Sequence, residues 1–525
     1  MSAAVPPMAG AREWIGLGVL ALACILYSMD LTVLHLAVPR LTADLKPTST
    51  QLLWIIDIYG FMVAGTLIAA GTLGDRIGRR RLLFIGAAMF GVASVLAAFS
   101  KSAEMLIATR ALLGIAGATV APSTLSLIRN MFLDPHQRTT AISVWIMSYS
   151  LGGAIGPLIG GVMLELFWWG SVFLIAVPVM ALLLVVGPKL LPEYRDPNAG
   201  KPDLLSVVMS LAAVLTMIYG LKEIAQDGVS VIAVLSILVG LGVGVLFVRR
   251  QLSLEDPLID MRLFRTPAFS ASLATYGITI LILFGGFFFL PQYLQLVLGL
   301  SPFEAGLWML PWALAFILGS LVTPKLARHV QPSRLMSFGL VLSTVGFLML
   351  ASLGPTTGFP YFALSTFIFS IGVSPLFTLT TDLILGSAPP ERAGAASAVS
   401  ETSAEFGGAL GIAVFGSIGI AVYRAMVGDV IPVGLSPELA EAAKATLGGA
   451  MATAAELSAE AGAVLTDAAR AAFMRGLRVC AIISAVGSIA LAAFTSITLR
   501  HVRPASEREA APAGVDQQAA NSAPG

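Results

Sequence analysis

The chain of 525 residues has few charges: 12% of its residues are Asp, Glu, Lys or Arg, whereas 57% are hydrophobic. Soluble globular chains carry roughly 25% charged residues, so a water-soluble protein is excluded. The 31 basic and 30 acidic residues nearly cancel. Nucleic-acid binding through bulk positive charge therefore has no support, and no nucleic-acid partner is expected.

Cysteine and histidine are scarce as well. Cys24 and Cys480 both lie in apolar runs, which favours packing over a disulfide or a metal pair. No metal-ligand spacing occurs among the histidines, which are His35, His136, His329 and His501. A Gly-x4-Gly-Lys-Ser/Thr phosphate loop is also missing, so we expect no ATP-driven transport, no enzyme activity, no metal and no cofactor.

Long apolar runs are what the chain has instead. A bilayer helix needs about 20 apolar residues, and the runs predict fourteen such spans in an all-α polytopic membrane protein. Basic residues concentrate in alternate loops; the short loops of the other side hold only Arg40, Lys46, Lys101 and Lys222. By the positive-inside rule, both termini are expected in the cytoplasm.

An internal repeat divides these spans into two halves. The sequence GGAIG at 152–156 recurs as GGALG at 407–411, and Gly117 maps onto Gly372 at the same offset. Parallel repeats of six spans, with a substrate site near midplane, are typical of the major facilitator fold. The predicted parts are a cytoplasmic N-terminus (1–13), a six-helix half (14–190), two inserted spans with flanking loops (191–266), a second six-helix half (267–500) and a disordered cytoplasmic tail (501–525).

The second half contains one long external connection, residues 424–474. It is rich in alanine, and its helical stretches at 437–447 and 452–470 predict an external helical hairpin. A passive connector and a lid are both open interpretations of this hairpin.

A glycine- and arginine-rich motif joins spans 2 and 3. Its members are Gly71, Asp75, Arg76, Gly78 and Arg79. The glycines permit a tight cytoplasmic turn, and the carboxylate can pair with a cation or a helix N-terminus that is present in only one conformation. The alternative is a loop that only sets topology, which would need the arginines alone.

Small residues interrupt span 5. They are Gly152, Gly156, Pro157, Gly160 and Gly161. Proline removes a backbone hydrogen bond and small residues allow close helix contact, so this helix can bend or pack tightly at that point. Plain helix packing is the alternative interpretation.

These motifs, together with Arg110 in the stretch 106–117, resemble the gating, buried-arginine and antiporter motifs of the fourteen-helix drug:proton antiporter family. The resemblance covers nearly the whole chain. It implies a monomeric, multi-pass protein of the bacterial inner membrane that exports hydrophobic cations, such as quaternary ammonium compounds, antiseptics and dyes, in exchange for protons. An exporter of an endogenous metabolite, peptide or lipid is the alternative, and a non-transporting scaffold or sensor is a third interpretation.

Ionisable residues inside spans cost roughly 2.5–3.5 kcal/mol each and are candidates for function. Counting along spans 1, 2 and 4 places Asp30, Asp57 and Arg110 at a similar depth. We predict a cluster in which the arginine, the one basic residue expected inside a span, alters the proton affinity of a carboxylate between two states. A permanent ion pair between Asp57 and Arg110 is the alternative. The resemblance favours Asp30, because the family carries its essential acid at this position.

A second pair of acids occurs in span 13. Glu401 and Glu405 are four residues apart and therefore share a helix face. Two close carboxylates suit a proton carrier that trades its proton for a cationic drug, although Glu401 is alternatively interfacial and solvated. Aromatic residues that could line the substrate path, or simply pack, are Trp54, Tyr59, Trp145, Tyr149, Tyr276, Phe284, Phe288, Trp308 and Trp312.

Overall fold

The computed structural model describes residues 8–195, 203–255, 257–387, 393–428, 431 and 435–502, and all regular structure in these residues is helical. The α-helices are α1 Ala11–Leu45, α2 Ser49–Ile77, α3 Arg79–Ala98, α4 Ala103–Gly117, α5 Val120–Met131, α6 Pro135–Leu166, α7 Ser171–Leu174, α8 Ala176–Leu190, α9 Leu204–Asp227, α10 Val231–Ser253, α11 Pro267–Phe287, α12 Leu290–Gln292, α13 Pro302–Trp308, α14 Leu310–Ala327, α15 Pro332–Ala351, α16 Phe359–Gly386, α17 Ala393–Val427, α18 Pro437–Ala445, α19 Leu447–Ala455 and α20 Ala459–Thr498. A 3₁₀ turn, Met261–Arg265, precedes α11, and a π-helical turn, Tyr293–Val297, follows α12.

Thirteen segments of the described chain are long and apolar enough to cross a bilayer, and α6 is a fourteenth if its two arms count as one span. The arms, Thr140–Gly153 and Ile155–Leu166, meet at 42°. Pro157 accounts for the bend, because its ring nitrogen cannot donate a hydrogen bond to the carbonyl of Gly153. The predicted all-α fold with fourteen spans is thus confirmed.

Polar caps determine where several spans begin. Thr48 accepts a hydrogen bond from the backbone N–H of Gln51, whose side chain accepts one in return from the Thr48 N–H, so α2 begins at Ser49. Asp203 and Ser230 cap α9 and α10 by accepting a hydrogen bond from the N–H three residues on. These hydrogen bonds therefore determine the residue at which each of the three helices begins.

Contacts divide the chain into two compact units. Unit 1 comprises residues 1–258, 287–307 and 412–476, and unit 2 comprises 259–286, 308–411 and 477–525. Unit 1 includes the inserted pair, α9 and α10. The helix α10 exposes large apolar side chains along its length, as expected of a helix that faces lipid: Val231, Ile232, Leu235, Leu238, Leu241 and Val245.

Glycines bring helices into close contact in each unit. In unit 1, a Cβ atom at Gly152 of α6 would overlap the backbone carbonyl of Ile25 on α1. In unit 2, a Cβ atom at Gly407 of α17 would lie 2.7 Å from the carbonyl oxygen of Gly277 on α11. The two copies of the sequence repeat therefore perform the same packing task, each within its own unit.

The long connection of the second half forms a hairpin, but its second helix is shorter than predicted. Helices α18 and α19 pack on each other. The single helix predicted at 452–470 is divided in two, because α19 ends at Ala455 and residues 459–470 form the first turns of α20. Ser458 explains the difference, because its hydroxyl accepts a hydrogen bond from the N–H of Ala461 and so begins a new helix.

The hairpin is fixed to other parts of unit 1. The Ser49 hydroxyl at the start of α2 donates to the carbonyl of Ala445 at 2.7 Å. The Tyr423 hydroxyl on α17 donates to the carbonyls of Ala443 (2.9 Å) and Thr446 (3.1 Å). Both contacts involve the short turn that joins α18 to α19, so this turn is the anchored part of the hairpin.

Candidate functional site

One buried ion pair in unit 1 joins α1 to α4. Arg110 Nη1 lies 2.6 Å from Asp30 Oδ2, and the side chains are only 2% and 7% exposed. Arg110 Nε donates to the carbonyl of Ile55 on α2 at 3.2 Å, and its guanidinium carbon lies 4.6 Å from the centroid of the Tyr59 ring. The predicted contact between Asp30 and Arg110 is confirmed, and three helices meet at one guanidinium group.

Asp57 does not join this cluster. Lys222 Nζ on α9 lies 2.9 Å from Asp57 Oδ1 and 2.8 Å from Oδ2, and neither side chain is exposed. The ammonium group also lies 3.6 Å from the centroid of the Trp54 ring. The prediction that Asp57 lies with Arg110 is therefore wrong, and so is the prediction that Arg110 is the one basic residue inside a span.

The position at which α9 ends explains why Lys222 lies inside a span. The sequence predicts Lys222 in a short external loop, but α9 continues to Asp227 and ends at Gly228, which has a φ of 82°. Glycine in a left-handed conformation just after the last turn is a common helix stop. Gly228 was thus the signal in the sequence that could have placed Lys222 inside the helix.

The two glutamates of unit 2 lie one turn apart on α17. Glu401 is exposed and Glu405 is half-buried. Tyr276 on α11 lies within electrostatic range of both carboxylates. Within the described part of the chain, Glu401 has no ion pair. Its charge is therefore not balanced by a fixed cation, in contrast to Asp30 and Asp57.

A row of aromatic rings in unit 2 begins at this tyrosine. The centroid of Tyr276 lies 5.6 Å from that of Phe377, which lies 5.1 Å from that of Phe316. Trp312 follows at 6.4 Å from Phe316. All four side chains are half-buried. Phe316 and Phe377 are not predicted from the sequence, because no pattern within α14 or α16 indicates that these helices lie beside α11.

Unit 1 contains a corresponding row beside Arg110. Tyr27 lies 6.3 Å from Tyr59 and 5.8 Å from Tyr149, measured between ring centroids, and Tyr149 lies 4.9 Å from Trp145. Trp145 and Tyr149 are half-buried, whereas Tyr59 is fully buried. Tyr27 is not among the residues predicted to line the site, although its position three residues before Asp30 places both on one face of α1.

Two of the predicted wall residues have other contacts. The Trp54 ring lies against the Lys222 ammonium group in unit 1. Trp308 lies at centroid distances of 5.2 Å from Phe359 and 5.8 Å from Phe362 in unit 2.

The motif between α2 and α3 forms an ion-paired turn. Asp75 Oδ1 lies 2.6 Å from Arg79 Nη2, so this carboxylate pairs with a cation at the start of α3. Gly78 links the two helices with a φ of 113°, which strains any other residue. Arg80 Nε lies 3.6 Å from Glu193 Oε2, which follows α8. The motif therefore connects α2, α3 and the segment after α8.

The remaining motif residues have simpler surroundings. Arg76 is exposed, and a Cβ atom at Gly71 would lie 3.9 Å from Pro122, an ordinary contact distance. On α6, a Cβ atom at Gly161 would lie 2.8 Å from the carbonyl of Pro302. The other α6 glycines meet side chains of α1: Gly156 meets Thr32 and Met29, and Gly160 meets Val33.

A surface ion pair ties the start of α9 to the end of α10. Arg250 Nη2 lies 3.0 Å from Asp203 Oδ1. Partial burial acts to raise the pKa of Asp203, but hydrogen bonds from Ser206 and Arg250 outweigh it and lower the pKa overall. An ion pair thus joins α9 and α10 at this end of the inserted pair.

Long apolar helices packed through glycines, with ion pairs buried among them, are typical of a polytopic α-helical membrane protein. The chain belongs to the Major Facilitator Superfamily, whose family model matches residues 20–412. The predicted resemblance to the drug:proton antiporters of this superfamily is confirmed by the relatives described next.

Two relatives match nearly the whole chain. The multidrug efflux pump LfrA of Mycolicibacterium smegmatis is 45% identical over 489 residues, which cover 93% of this chain and 97% of the relative. The methyl viologen resistance protein SmvA of Salmonella typhimurium is 38% identical over 487 residues, which cover 91% and 96%. A solved structure with the same fold is a bacterial homolog of the human lysosomal transporter Spinster, inward-facing and unoccupied, with a TM-score of 0.66, 19% identity and coverage of 94% and 98%.

Proposed function

We propose that this protein exports hydrophobic cations across a membrane in exchange for protons, by alternating access. The observation that carries this proposal is the contrast between its acids. Asp30 and Asp57 are buried, each with a cation 2.6–2.9 Å away, whereas Glu401 is exposed and has no ion pair in the described chain. A carboxylate without a fixed counter-ion can bind a proton and a cationic substrate in turn.

The aromatic row of unit 2 supports the substrate class. Tyr276, Phe377, Phe316 and Trp312 extend from the glutamates as half-buried rings, and each ring that faces a bulky cation contributes about 0.5–2 kcal/mol. The names of LfrA and SmvA, which refer to multidrug efflux and methyl viologen resistance, agree with cationic and chemically varied substrates.

The proposal includes a location and an orientation. We place the protein in the bacterial inner membrane as a monomer with both termini in the cytoplasm, because basic residues concentrate in the loops of that side. Amino- and carboxyl-terminal reporter fusions that are active only in the cytoplasm test this orientation, and an inactive fusion at either end would contradict it.

The driving force depends on how many protons are exchanged for each cation. One pH unit supplies about 1.36 kcal/mol per proton, and each net charge moved through 100 mV supplies about 2.3 kcal/mol. Exchange of one proton for one monovalent cation uses only the pH gradient, whereas two protons also use the voltage. Glu401 and Glu405 allow either stoichiometry.

Transport by purified protein in proteoliposomes tests the proposal. With the membrane voltage held at zero by valinomycin and equal K⁺ concentrations on both sides, we expect ethidium, benzalkonium or methyl viologen to accumulate in the compartment that supplies the protons, and to do so only while a pH gradient exists. Nigericin, which collapses this gradient, should abolish accumulation. Accumulation that survives nigericin would contradict proton coupling. Failure to move any of these cations would contradict cation export and would favour an endogenous metabolite, peptide or lipid as substrate.

A further inference from the structure

The inserted helix α9 lies along residues 50–65 of α2. The contacts follow an antiparallel register, in which residue numbers fall on one helix as they rise on the other. They join Thr50 with Gln226, Asp57 with Lys222, and Gly65 with Leu211. The inserted helix is therefore built into unit 1 and is more than a linker between the repeated halves.

The middle contact is the charged one. Both Lys222 and Asp57 have no exposed side-chain surface, and the ammonium group lies against the Trp54 ring. Ion pairs at such depth contribute little net stability, but removal of one partner is strongly destabilising because an uncompensated charge remains. Their best-attested use is to fix the register of packed helices.

The same stretch of α2 holds the other ion pair. Asp57 binds Lys222, while the carbonyl of Ile55 and the ring of Tyr59 contact Arg110 from positions two residues before and after it. A shift or rotation of α2 would therefore disturb both pairs together. Lys222 has no contact with Arg110 in the described structure, so its effect on that residue passes through α2.

We propose that Lys222 is a positioning residue for the exchange reaction, an inference that rests on the proposed function. By holding Asp57, it fixes α2 against Arg110 and so places the ion pair between Arg110 and Asp30. Asp57 remains paired with Lys222 through the cycle and does not itself exchange a proton. The inserted pair of helices thereby sets the geometry of the amino-terminal ion pair.

The test compares Lys222→Met with the double variant Asp57→Asn/Lys222→Met, in proteoliposomes and per folded molecule. We expect Lys222→Met to lower the maximal exchange rate about tenfold, with the half-saturating ethidium concentration unchanged within about twofold. The charge exchange Asp57→Lys/Lys222→Asp keeps an ion pair between α2 and α9 and should recover to within about threefold of wild type. Asp57→Asn/Lys222→Met should fold but stay slow, because it leaves neither a lone charge nor an ion pair to hold α2. Lys101→Met is the matched control, since Lys101 is exposed, and should match wild type.

The following results would contradict the inference. A charge-exchange variant as slow as Lys222→Met would mean that Asp57 takes part in exchange itself, and a neutral double variant with the wild-type rate would mean that the ion pair does not position α2. A Lys222→Met variant with the wild-type rate per folded molecule would reduce Lys222 to a packing residue. If Lys222→Met does not fold, the neutral double variant and the charge-exchange variant decide, and equal exchange rates in these two would overturn the proposal.

Failure of the proposed function would be seen separately, as a wild-type protein that exchanges no cation. Thermal unfolding of the same variants then tests whether the buried ion pair fixes α2 against α9. Recovery of the melting temperature in Asp57→Asn/Lys222→Met relative to Lys222→Met would support the fixed register of α2 and α9. A melting temperature that stays low would refute it.

Discussion

Glycine at position 152 is required for the contact between α6 and α1, and its substitution by alanine tests the close packing of these helices. A Cβ atom there would overlap the backbone carbonyl of Ile25, which cannot rotate away as a side chain can. The neighbouring Gly153 offers a matched control, because the nearest atom to its Cβ would be the Ser28 hydroxyl at 3.6 Å.

The magnitude follows from two opposing effects. Overpacking costs about 1–3 kcal/mol, and alanine gains up to about 1 kcal/mol over glycine in helix propensity. Gly152→Ala should therefore destabilise the protein, whereas Gly153→Ala should be neutral or mildly stabilising. Because the gain in propensity is common to both variants, the difference between them isolates the packing cost, about 1–3 kcal/mol.

Unfolding of the purified variants in one detergent is the assay. We expect Gly152→Ala to unfold below wild type and Gly153→Ala at or above it. The corresponding pair in unit 2 is Gly407→Ala, which would approach the Gly277 carbonyl, and Gly408→Ala, whose Cβ would lie 3.5 Å from Phe284. Equal stability of Gly152→Ala and Gly153→Ala would refute the close-packing argument for α1 and α6.

Two further predictions concern charge and backbone conformation. Arg110→Met should destabilise the protein by about 3–5 kcal/mol, because it leaves Asp30 buried without its cation, and Asp30→Asn/Arg110→Met should regain most of this loss; unfolding midpoints that show no recovery would contradict the pairing. Gly78→Ala should cost about 1–3 kcal/mol because of its positive φ and because a Cβ atom would lie 2.5 Å from Glu193 Oε1. Gly71→Ala should unfold like wild type, and equal losses in these two variants would contradict the argument.

The sequence was sufficient for the spans, the repeat and one ion pair. Counting residues from the loop ends placed Asp30 and Arg110 at one depth, and the two side chains form an ion pair. It was insufficient for Asp57, whose depth was predicted correctly but whose partner was not. Depth along a helix says nothing about the direction in which a side chain points, and Lys222 reaches Asp57 from a helix outside the repeat.

The aromatic rows show the same limit. Trp145 and Tyr149 share a face of one helix and could be grouped from their spacing. The contact of Tyr276 with Phe377 joins helices distant in the chain, and no periodicity within either helix indicates it. Likewise, the short α19 depended on Ser458, whose cap begins a new helix inside an alanine-rich stretch that favours helix throughout.

Proton release on substrate addition is the most direct test of the central claim, that Glu401 and Glu405 exchange protons for a cation. Purified protein in weakly buffered detergent solution is mixed with ethidium while a pH indicator is followed. We predict release from wild type and from Glu165→Gln, a control at an exposed glutamate of α6. Less release is expected from Glu401→Gln or Glu405→Gln, and none from the double variant. Release from the double variant equal to that of wild type, with ethidium still bound, would contradict the account.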